Sequence, residues 1–298
     1  MAVKKSDLYG SIWKSCDELR GGMDASQYKD YVLILLFVKY VSDKYANIPG
    51  EVVIIPEGGS FADMVSAMGK PDIGDQMNKI IMRLLEANDL KSHIFPPDFN
   101  DENKLGKGKD MVDRLSRLVG IFNKPDLNFR GNRASDDDLL GDAYEYLMRH
   151  FATESGKSKG QFYTPAEVSQ IIAKIIGVNN TRGTQTIYDP TCGSGSLLLK
   201  VADEAQNKIT IYGQEMDNST ASLARINMMM HRKPEASLDI WNDNTLSAPY
   251  FMGENGNVRQ FDFVVANPPF SYKAWTNGVE LTSDSRFTGW GAYPPEKN

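Results

Sequence analysis

The stretch Gln-Thr-Ile-Tyr-Asp-Pro-Thr-Cys-Gly-Ser-Gly, residues 185–195, joins a short strand pattern to a glycine turn. Residues 185–189 predict a strand, and residues 196–205 predict a helix that begins directly after the turn. Glycines let the backbone approach a ligand closely, and the N-terminus of the following helix favours a carboxylate or phosphate group. Alone, a Gly-x-Gly is weak evidence for a binding site, because it is also typical of an ordinary tight turn.

Alternating strand and helix patterns continue on both sides of this stretch. Upstream, Thr164-Pro165-Ala166-Glu167 has the form of a capping box with proline at the first helical position, and predicts a helix to about Gly177. Downstream, the pattern predicts a helix over 218–231 and strands over 208–215, 238–241 and 261–266, the last of them a buried parallel strand. Repeats of this size predict an α/β fold with a Rossmann-like doubly wound parallel sheet.

The first half of the chain has a different pattern. Apolar residues recur at helical spacing in segments that lie within residues 8–19, 26–45, 77–85, 111–122 and 139–151, and residues 51–55 predict a short strand. We therefore expect a mainly helical N-terminal domain over 1–152 and a second domain over 153–298. The boundary falls in the small, polar stretch 153–160.

Composition limits the classes of function. The longest apolar run, Tyr31 to Val38, is too short to cross a membrane, and the N-terminus lacks a signal-peptide pattern, so we expect a cytoplasmic protein. Two distant cysteines and three histidines form neither a zinc pattern nor a disulfide framework. The net charge is −6, whereas DNA-binding proteins that act alone are usually basic. If nucleic acid is the substrate, we expect a partner to supply the positive surface.

Polar residues follow each of the next three predicted strands. Glu215 lies twenty residues after Gly195, where an acid can accept both hydroxyls of a ribose. Asp243 can accept a hydrogen bond from an adenine amine, although an Asp in Asn-Asp-Asn is more often a turn former. The fourth strand stops at Asn267-Pro268-Pro269-Phe270, since two prolines cannot extend a central strand. This amide, carbonyl and aromatic group suits a planar ligand that donates hydrogen bonds, such as a base with an exocyclic amine.

Two common nucleotide motifs do not match this sequence. The position three after Gly195 is Leu198, so the third glycine of the dinucleotide fingerprint is not there, and no Gly-Lys-Ser/Thr marks a P-loop. The pattern therefore favours an adenosine derivative with an amino-acid end, S-adenosyl-L-methionine.

Taken together, these motifs resemble the class I S-adenosylmethionine-dependent amino-methyltransferases. More narrowly, the chain resembles the modification (methyltransferase) subunit of type I DNA restriction–modification systems, a family of N6-adenine DNA methyltransferases. The segment 160–165, Gly-Gln-Phe-Tyr-Thr-Pro, precedes the glycine turn as the family's permuted first motif does. Segments 140–147 and 19–22 also resemble the family, and the resemblance covers nearly the whole chain.

The resemblance implies a role for each motif. The methionine end of the cofactor would be held by Gln161, Phe162, Tyr163, Thr164, Pro165 and Ala166. The cofactor turn would contribute Asp189, Thr191, Cys192, Gly193 and Gly195. Glu215 would bind the ribose and Asp243 the adenine. The catalytic motif would be Asn267, Pro268, Pro269 and Phe270. In it, the Asn267 amide and the Pro268 carbonyl accept hydrogen bonds from the target N6 amine, and Phe270 stacks on a base flipped out of the duplex.

The implied partners are a DNA specificity subunit, a restriction (nuclease) subunit and double-stranded DNA, with no membrane. The chemistry needs no covalent nucleophile, and Cys192 lies in the cofactor turn, which argues against cytosine C5 methylation. Two alternatives stay open: a protein-glutamine or RNA amino-methyltransferase, and a non-catalytic module for assembly or cofactor binding. Members of the family continue well beyond a fourth strand, so we expect this chain to be C-terminally truncated, with one apolar sheet edge unpaired.

Overall fold

The computed structural model describes residues 5–19, 23, 25–46, 53–130, 146–147, 164–180, 185–231, 239–269, 274–284 and 286–288. The chain divides into two compact units. The helical unit comprises Met1–Lys157 and Arg225–Pro234, and the sheet unit comprises Ser158–Ala224 and Glu235–Asn298. The expected domain boundary at residues 152 and 153 lies outside the described residues and stays a prediction.

The helical unit is built from α-helices. They are α1 (Lys5–Leu19), α2 (Ala25–Tyr45), α3 (Phe61–Ala67), α4 (Ile73–Ala87), α5 (Glu102–Leu105) and α6 (Lys109–Phe122), followed by a 3₁₀ turn at Pro125–Leu127. Residues 31–42 of α2 are buried on every side, so this helix forms the centre of the unit. The other helices pack around it, and α6 contacts α1, α3 and α4. The apolar spacing in the sequence is confirmed for α1, α2, α4 and α6.

The strand predicted at residues 51–55 is wrong for its described part. Residues 53–55 have no strand partner among the described residues. The backbone of Ile54 instead bonds to the side chain of Asn88, with its N–H donating to Oδ1 at 2.7 Å and its carbonyl accepting from Nδ2 at 2.8 Å. One amide side chain thus satisfies the backbone groups that a neighbouring strand would otherwise pair.

The sheet unit contains a parallel sheet with strand order β3-β2-β1-β4. Its strands are β1 (Gln185–Asp189), β2 (Ile209–Glu215), β3 (Ile240–Asn242) and β4 (Phe263–Val264). Its helices are α7 (Ala166–Ile176), α8 (Ser196–Asp203) and α9 (Asn218–Met230), the last crossed by the division between the units. Glycines with positive φ cap two of these helices: Gly177, at φ 72°, follows the end of α7, and Gly195, at φ 78°, precedes the start of α8. The prediction of an α/β, Rossmann-like doubly wound parallel sheet is confirmed.

The outer strand β4 differs from the prediction of a fully buried strand. It pairs with β1 through Ile187 and Phe263 and through Tyr188 and Val264. Val264 is 55% exposed, whereas Val265 is 4% exposed. Successive residues of a strand point to opposite faces of the sheet. Only one face of β4 is therefore covered by the part of the chain that the structure describes, and the prediction of burial on both faces is wrong.

None of the helices formed by the described residues is both long and apolar enough to cross a bilayer.

Candidate functional site

The carboxyl ends of the four strands bring the polar motifs to one edge of the sheet. The strand order reverses between β1 and β4, because the chain winds to β2 and β3 on one side of β1 and then returns to β4 on the other. Open α/β sheets bind their ligands at such a switch point, outside the carboxyl ends of the strands. Asp189 ends β1, and Asn267 lies three residues beyond β4. The two motifs of greatest chemical interest thus flank this point.

The glycine turn after β1 is held against β2 by backbone contacts. The Cys192 N–H donates to the Gln214 carbonyl at 3.0 Å, and the Gly195 N–H donates to the Cys192 carbonyl at 2.8 Å. Gly193 has φ 55°, a left-handed conformation that favours glycine. The turn fits closely, since a Cβ built on Gly213 would lie 3.0 Å from Cys192 Sγ. A side chain at this position of β2 would require Cys192 and Ile240 to shift.

Glu215 points into the glycine turn from the end of β2. Its Oε2 accepts the Gly193 N–H at 3.0 Å, and its Oε1 accepts the Asp217 N–H at 2.9 Å. These two backbone donors fix the carboxylate beside the turn, so that the predicted ribose acceptor and the predicted cofactor turn are adjacent. The fold thus brings Glu215 next to the predicted residues of the turn, which are Asp189, Thr191, Cys192, Gly193 and Gly195.

Burial changes the acidity of the two carboxyl groups in this region. It raises the pKa of Asp189 from its ordinary value of 3.8 to about 7; the Thr191 N–H opposes that rise and the charge of Glu215 adds to it. Burial also raises the pKa of Glu215, while the N–H groups of Asp217 and Gly193 oppose it. Perturbed carboxyl groups in a cleft are typical of functional sites. Hydrogen-bond donors from a ligand would favour the charged form of Glu215 here.

Asp243 lies beside Glu215 but is exposed. Its N–H donates to the Glu215 carbonyl at 3.1 Å, which places the residue next to β2. Its Oδ1 accepts the N–H of Asn244 at 2.8 Å. The structure therefore brings Asp243 to the predicted edge of the site, with its carboxylate in the local turn contact that an Asp in this sequence favours.

Asn267 contacts the segment that precedes α7. Its Nδ2 donates to the Thr164 hydroxyl at 3.4 Å, and Thr164 is buried. The predicted capping box is wrong, because α7 begins at Ala166 with Pro165 at the N-cap and without a side-chain cap bond. The Thr164 hydroxyl makes a tertiary contact instead, and this contact joins two motifs that the sequence separates by 103 residues.

The remaining predicted site residues are placed as follows. Pro268 and Pro269 are exposed after β4, and Pro165 is exposed before α7. Gln161, Phe162, Tyr163 and Phe270 lie outside the described residues, so their roles stay predictions. Within the described ranges, no group of three or more His, Cys, Asp or Glu side chains has an arrangement that could hold a metal ion.

Sequence reasoning missed Gln214, whose fully buried side chain bonds to the backbone of the loop that carries Asp243. Its Nε2 donates to the Ala248 carbonyl at 2.8 Å and to the Asp243 carbonyl at 3.3 Å. Its Oε1 accepts the Tyr250 N–H at 3.1 Å. One amide thus pins the loop of residues 243–250 to β2. The only available signal was a polar residue next to Glu215 in an otherwise apolar strand.

A doubly wound parallel sheet with a glycine turn after β1, an acid at the end of β2 and Asn-Pro-Pro after β4 is the architecture of the class I methyltransferase fold. Family comparison makes this more specific. The family model described as N-6 DNA Methylase matches residues 135–298, and the model described as HsdM N-terminal domain matches residues 8–122. The chain belongs to the N-6 DNA methylase family.

Individual relatives agree with this assignment. The chain is 29% identical to the type I restriction enzyme MpnII methylase subunit of Mycoplasma pneumoniae, over 98% of this chain and 63% of that protein. It is 30% identical to the MjaVIII methylase subunit of Methanocaldococcus jannaschii, over 90% of this chain and 49% of that protein. The chain thus spans about half to two-thirds of the length of these relatives.

Solved structures show the same fold. The type I restriction-modification system methyltransferase subunit of Streptococcus thermophilus matches with a TM-score of 0.76 and 27% identity, over 99% of this chain and 69% of that chain. A structure from Vibrio vulnificus matches with a TM-score of 0.52 and 17% identity, over 91% of this chain and 62% of that chain, and is similar in fold.

Proposed function

We propose that this chain is the catalytic subunit of a type I restriction–modification complex and transfers a methyl group from S-adenosyl-L-methionine to the N6 amine of adenine in duplex DNA. The observation that carries the proposal is the position of Asn267. It lies beyond β4, on the other side of the switch point from the glycine turn, and its amide donates to the Thr164 hydroxyl. Membership of the N-6 DNA methylase family and the named relatives support the same reaction.

The cofactor half of the proposed site is the edge of the sheet at the carboxyl ends of β1 and β2. The Glu215 carboxylate would accept the ribose hydroxyls, and Asp243 would turn its carboxylate from Asn244 to the adenine amine. The backbone of residues 191–193, with the segment 161–166, would line the methionine end. The fit is supported by the close approach of the turn to Gly213 and by the half-buried Glu215 carboxyl, whose pKa is raised by burial, so that hydrogen-bond donors from a ligand would replace the lost solvent. When bound, the cofactor supplies an electrophilic sulfonium methyl group.

The base half of the proposed site is the Asn-Pro-Pro motif with Phe270. The Asn267 Oδ1 and the Pro268 carbonyl would accept the two hydrogens of the adenine N6 amine, which pulls the nitrogen towards a tetrahedral geometry. Its lone pair then leaves the ring and is free to attack. Proline suits the second role, because its ring fixes φ and so holds this stretch of backbone, with its carbonyl acceptor, rigidly at the strand end. Phe270 would stack on the flipped base.

The protein accelerates this reaction by alignment and by fixed dipoles. A covalent nucleophile is unnecessary, because the amine attacks the methyl group directly. The Cys192 thiol is 5% exposed and packs against Gly213 in the turn, which suits a structural role.

The proposed partners follow from charge and family. With a net charge of −6, the chain needs a DNA specificity subunit to supply positive surface and to choose the target sequence. A nuclease subunit would complete a restriction complex, and the site of action would be the cytoplasm.

The proposal is tested by measuring transfer of tritiated methyl groups to duplex DNA, with the specificity subunit added. We expect Asn267→Ala to lower kcat about 100-fold to 1,000-fold with little change in cofactor affinity, because it removes an acceptor used in the transition state. The matched control is Asn179→Ala, an exposed asparagine after α7 that should leave kcat unchanged. Full activity of Asn267→Ala would refute the proposed role, and label on protein or RNA would favour another amino-methyltransferase.

A further inference from the structure

Arg286 connects the end of the described chain to the loop beside the proposed cofactor site. Its Nη1 donates to the Thr245 carbonyl at 2.8 Å, and its Nη2 donates to the Leu246 carbonyl. Its Nε donates to Asp284 Oδ1 at 3.0 Å, which completes a charge-assisted pair. The side chain is 23% exposed. Two carbonyls and one carboxylate thus occupy the guanidinium fork, a geometry that arginine provides and lysine does not.

A second contact of the same segment supports this arrangement. Gly278 has φ 75°, and a Cβ built there would lie 3.1 Å from the Ser247 Cβ. The segment that follows β4 therefore folds back over residues 245–247 at two separate positions. Glycine is favoured at Gly278 both by its backbone conformation and by the close neighbour.

The loop that Arg286 holds reaches the glycine turn directly. The Thr245 hydroxyl donates to the Pro190 carbonyl, and Pro190 lies between Asp189 and Thr191. At the other side of the loop, the Gln214 amide holds the Asp243 carbonyl. The loop of residues 243–250 is therefore fixed from β2 by Gln214 and from the chain beyond β4 by Arg286. We expect the loss of either contact to loosen this loop, and the loss of the Arg286 contact to weaken the support that Thr245 gives to the turn.

We propose that Arg286 is a positioning residue for the cofactor: it acts through Thr245 to fix the glycine turn and the Asp243 loop, without touching the cofactor itself. This inference rests on the proposed function for its effect on cofactor binding. The clamp itself is independent of that function, since it is a property of the chain without ligand. The two parts are therefore tested by different measurements on the full 298-residue chain.

The first measurement is amide hydrogen exchange without cofactor. We expect Arg286→Ala to raise exchange about tenfold in the loop of residues 243–250, where Ala248 and Tyr250 have hydrogen-bonded N–H groups. The strands β1 and β2 should exchange as in the wild type. The control is Arg259→Ala, which removes an arginine of the same unit that contacts Tyr212 rather than the loop. Unchanged exchange in the loop of Arg286→Ala, or equal acceleration throughout the sheet, would overturn the clamp.

The second measurement is calorimetric binding of S-adenosyl-L-methionine. We expect Arg286→Ala to weaken binding about tenfold, Arg286→Lys to recover part of that loss, and Arg259→Ala to bind as the wild type does. Thr245→Val should weaken binding as well. If Arg286 acts through Thr245, the double variant should bind little worse than Arg286→Ala alone.

The two measurements separate the possible failures. If the wild-type chain binds no cofactor while the exchange result is as expected, the cofactor part of the proposed function is refuted. The contact of Arg286 with the loop is then still supported. If the wild type binds the cofactor and Arg286→Ala binds it equally well, only the positioning role of Arg286 is overturned. Additive losses for Arg286→Ala and Thr245→Val would refute the route through Thr245.

Discussion

The Asp189 carboxyl at the end of β1 provides a test of the site by pH. Only 1% of this residue is exposed, and burial raises its pKa to about 7. We consider the substitution Asp189→Asn. It removes the charge and keeps an oxygen that can accept the Thr191 N–H, a bond of 2.9 Å in the wild type. The variant therefore isolates the cost of burying a charge.

The expected size of the effect follows from the difference in pKa between the folded and unfolded chain. A pKa raised from 3.8 to about 7 means that the folded chain holds a proton that the unfolded chain releases in this range. The contribution of Asp189 to the free energy of unfolding then falls as pH rises from about 4 to about 7. Relative to Asp189→Asn, burial of this carboxyl lowers the free energy of unfolding of the wild type. The loss is near zero below pH 4, about 2 kcal/mol at pH 5 and about 4 kcal/mol at pH 8.

The assay is urea unfolding of the cofactor-free chain at pH 5 and pH 8, with hydrogen exchange of β1 and β2 peptides as the local signal. We expect Asp189→Asn to be more stable than the wild type at pH 8, by a margin that shrinks from about 4 kcal/mol there to about 2 kcal/mol at pH 5. Asp262→Asn is the matched control. The pKa of Asp262 is lowered, chiefly by its hydrogen bonds to Thr186, so its substitution should cost stability at neutral pH. An Asp189→Asn margin that is equal at both pH values would refute the reasoning.

Three further substitutions test separate parts of the structure. Glu215→Gln should weaken binding of S-adenosyl-L-methionine about tenfold to 100-fold by calorimetry, because a charged acceptor for the ribose hydroxyls is lost; unchanged affinity would contradict that role. Gly213→Ala should lower the free energy of unfolding of the sheet unit by about 1–3 kcal/mol in urea, because its new methyl group would meet Ile240 Cδ1 at 2.7 Å and Cys192 Sγ at 3.0 Å; wild-type stability would argue against the close fit. Ser60→Ala should destabilise the helical unit by about 1 kcal/mol by removing the N-cap of α3, and cofactor affinity should be unchanged.

Local patterns were sufficient to predict most of the sheet unit. The strand at 185–189, the turn at Gly193 and the helix from Ser196 follow each other in the chain, so that neighbouring residues determine them. The spacing from Gly195 to Glu215 likewise follows from the length of one helix and one strand. The Gly193 N–H bond to Glu215 is the direct consequence of that spacing.

Contacts between distant residues account for what sequence reasoning missed. The Thr164-Pro165-Ala166-Glu167 pattern satisfied the local rule for a capping box, yet the Thr164 hydroxyl bonds to Asn267, 103 residues away. The roles of Gln214 and Arg286 depend in the same way on loops that only the folded sheet brings near. Their sequence neighbourhoods carry no motif. Burial of β4 was overestimated because an apolar run does not show how many faces of a strand the fold will cover.

The identity of the methylated atom tests the central claim most directly. The 298-residue chain, the specificity subunit, duplex DNA and S-adenosyl-L-methionine with a trideuterated methyl group are incubated together, and the DNA is digested to nucleosides for mass spectrometry. We predict N6-methyladenine with the deuterated label from the wild type and at least 100-fold less of it from Asn267→Ala. Label in 5-methylcytosine, label confined to protein, or equal N6-methyladenine from both chains would contradict the claim.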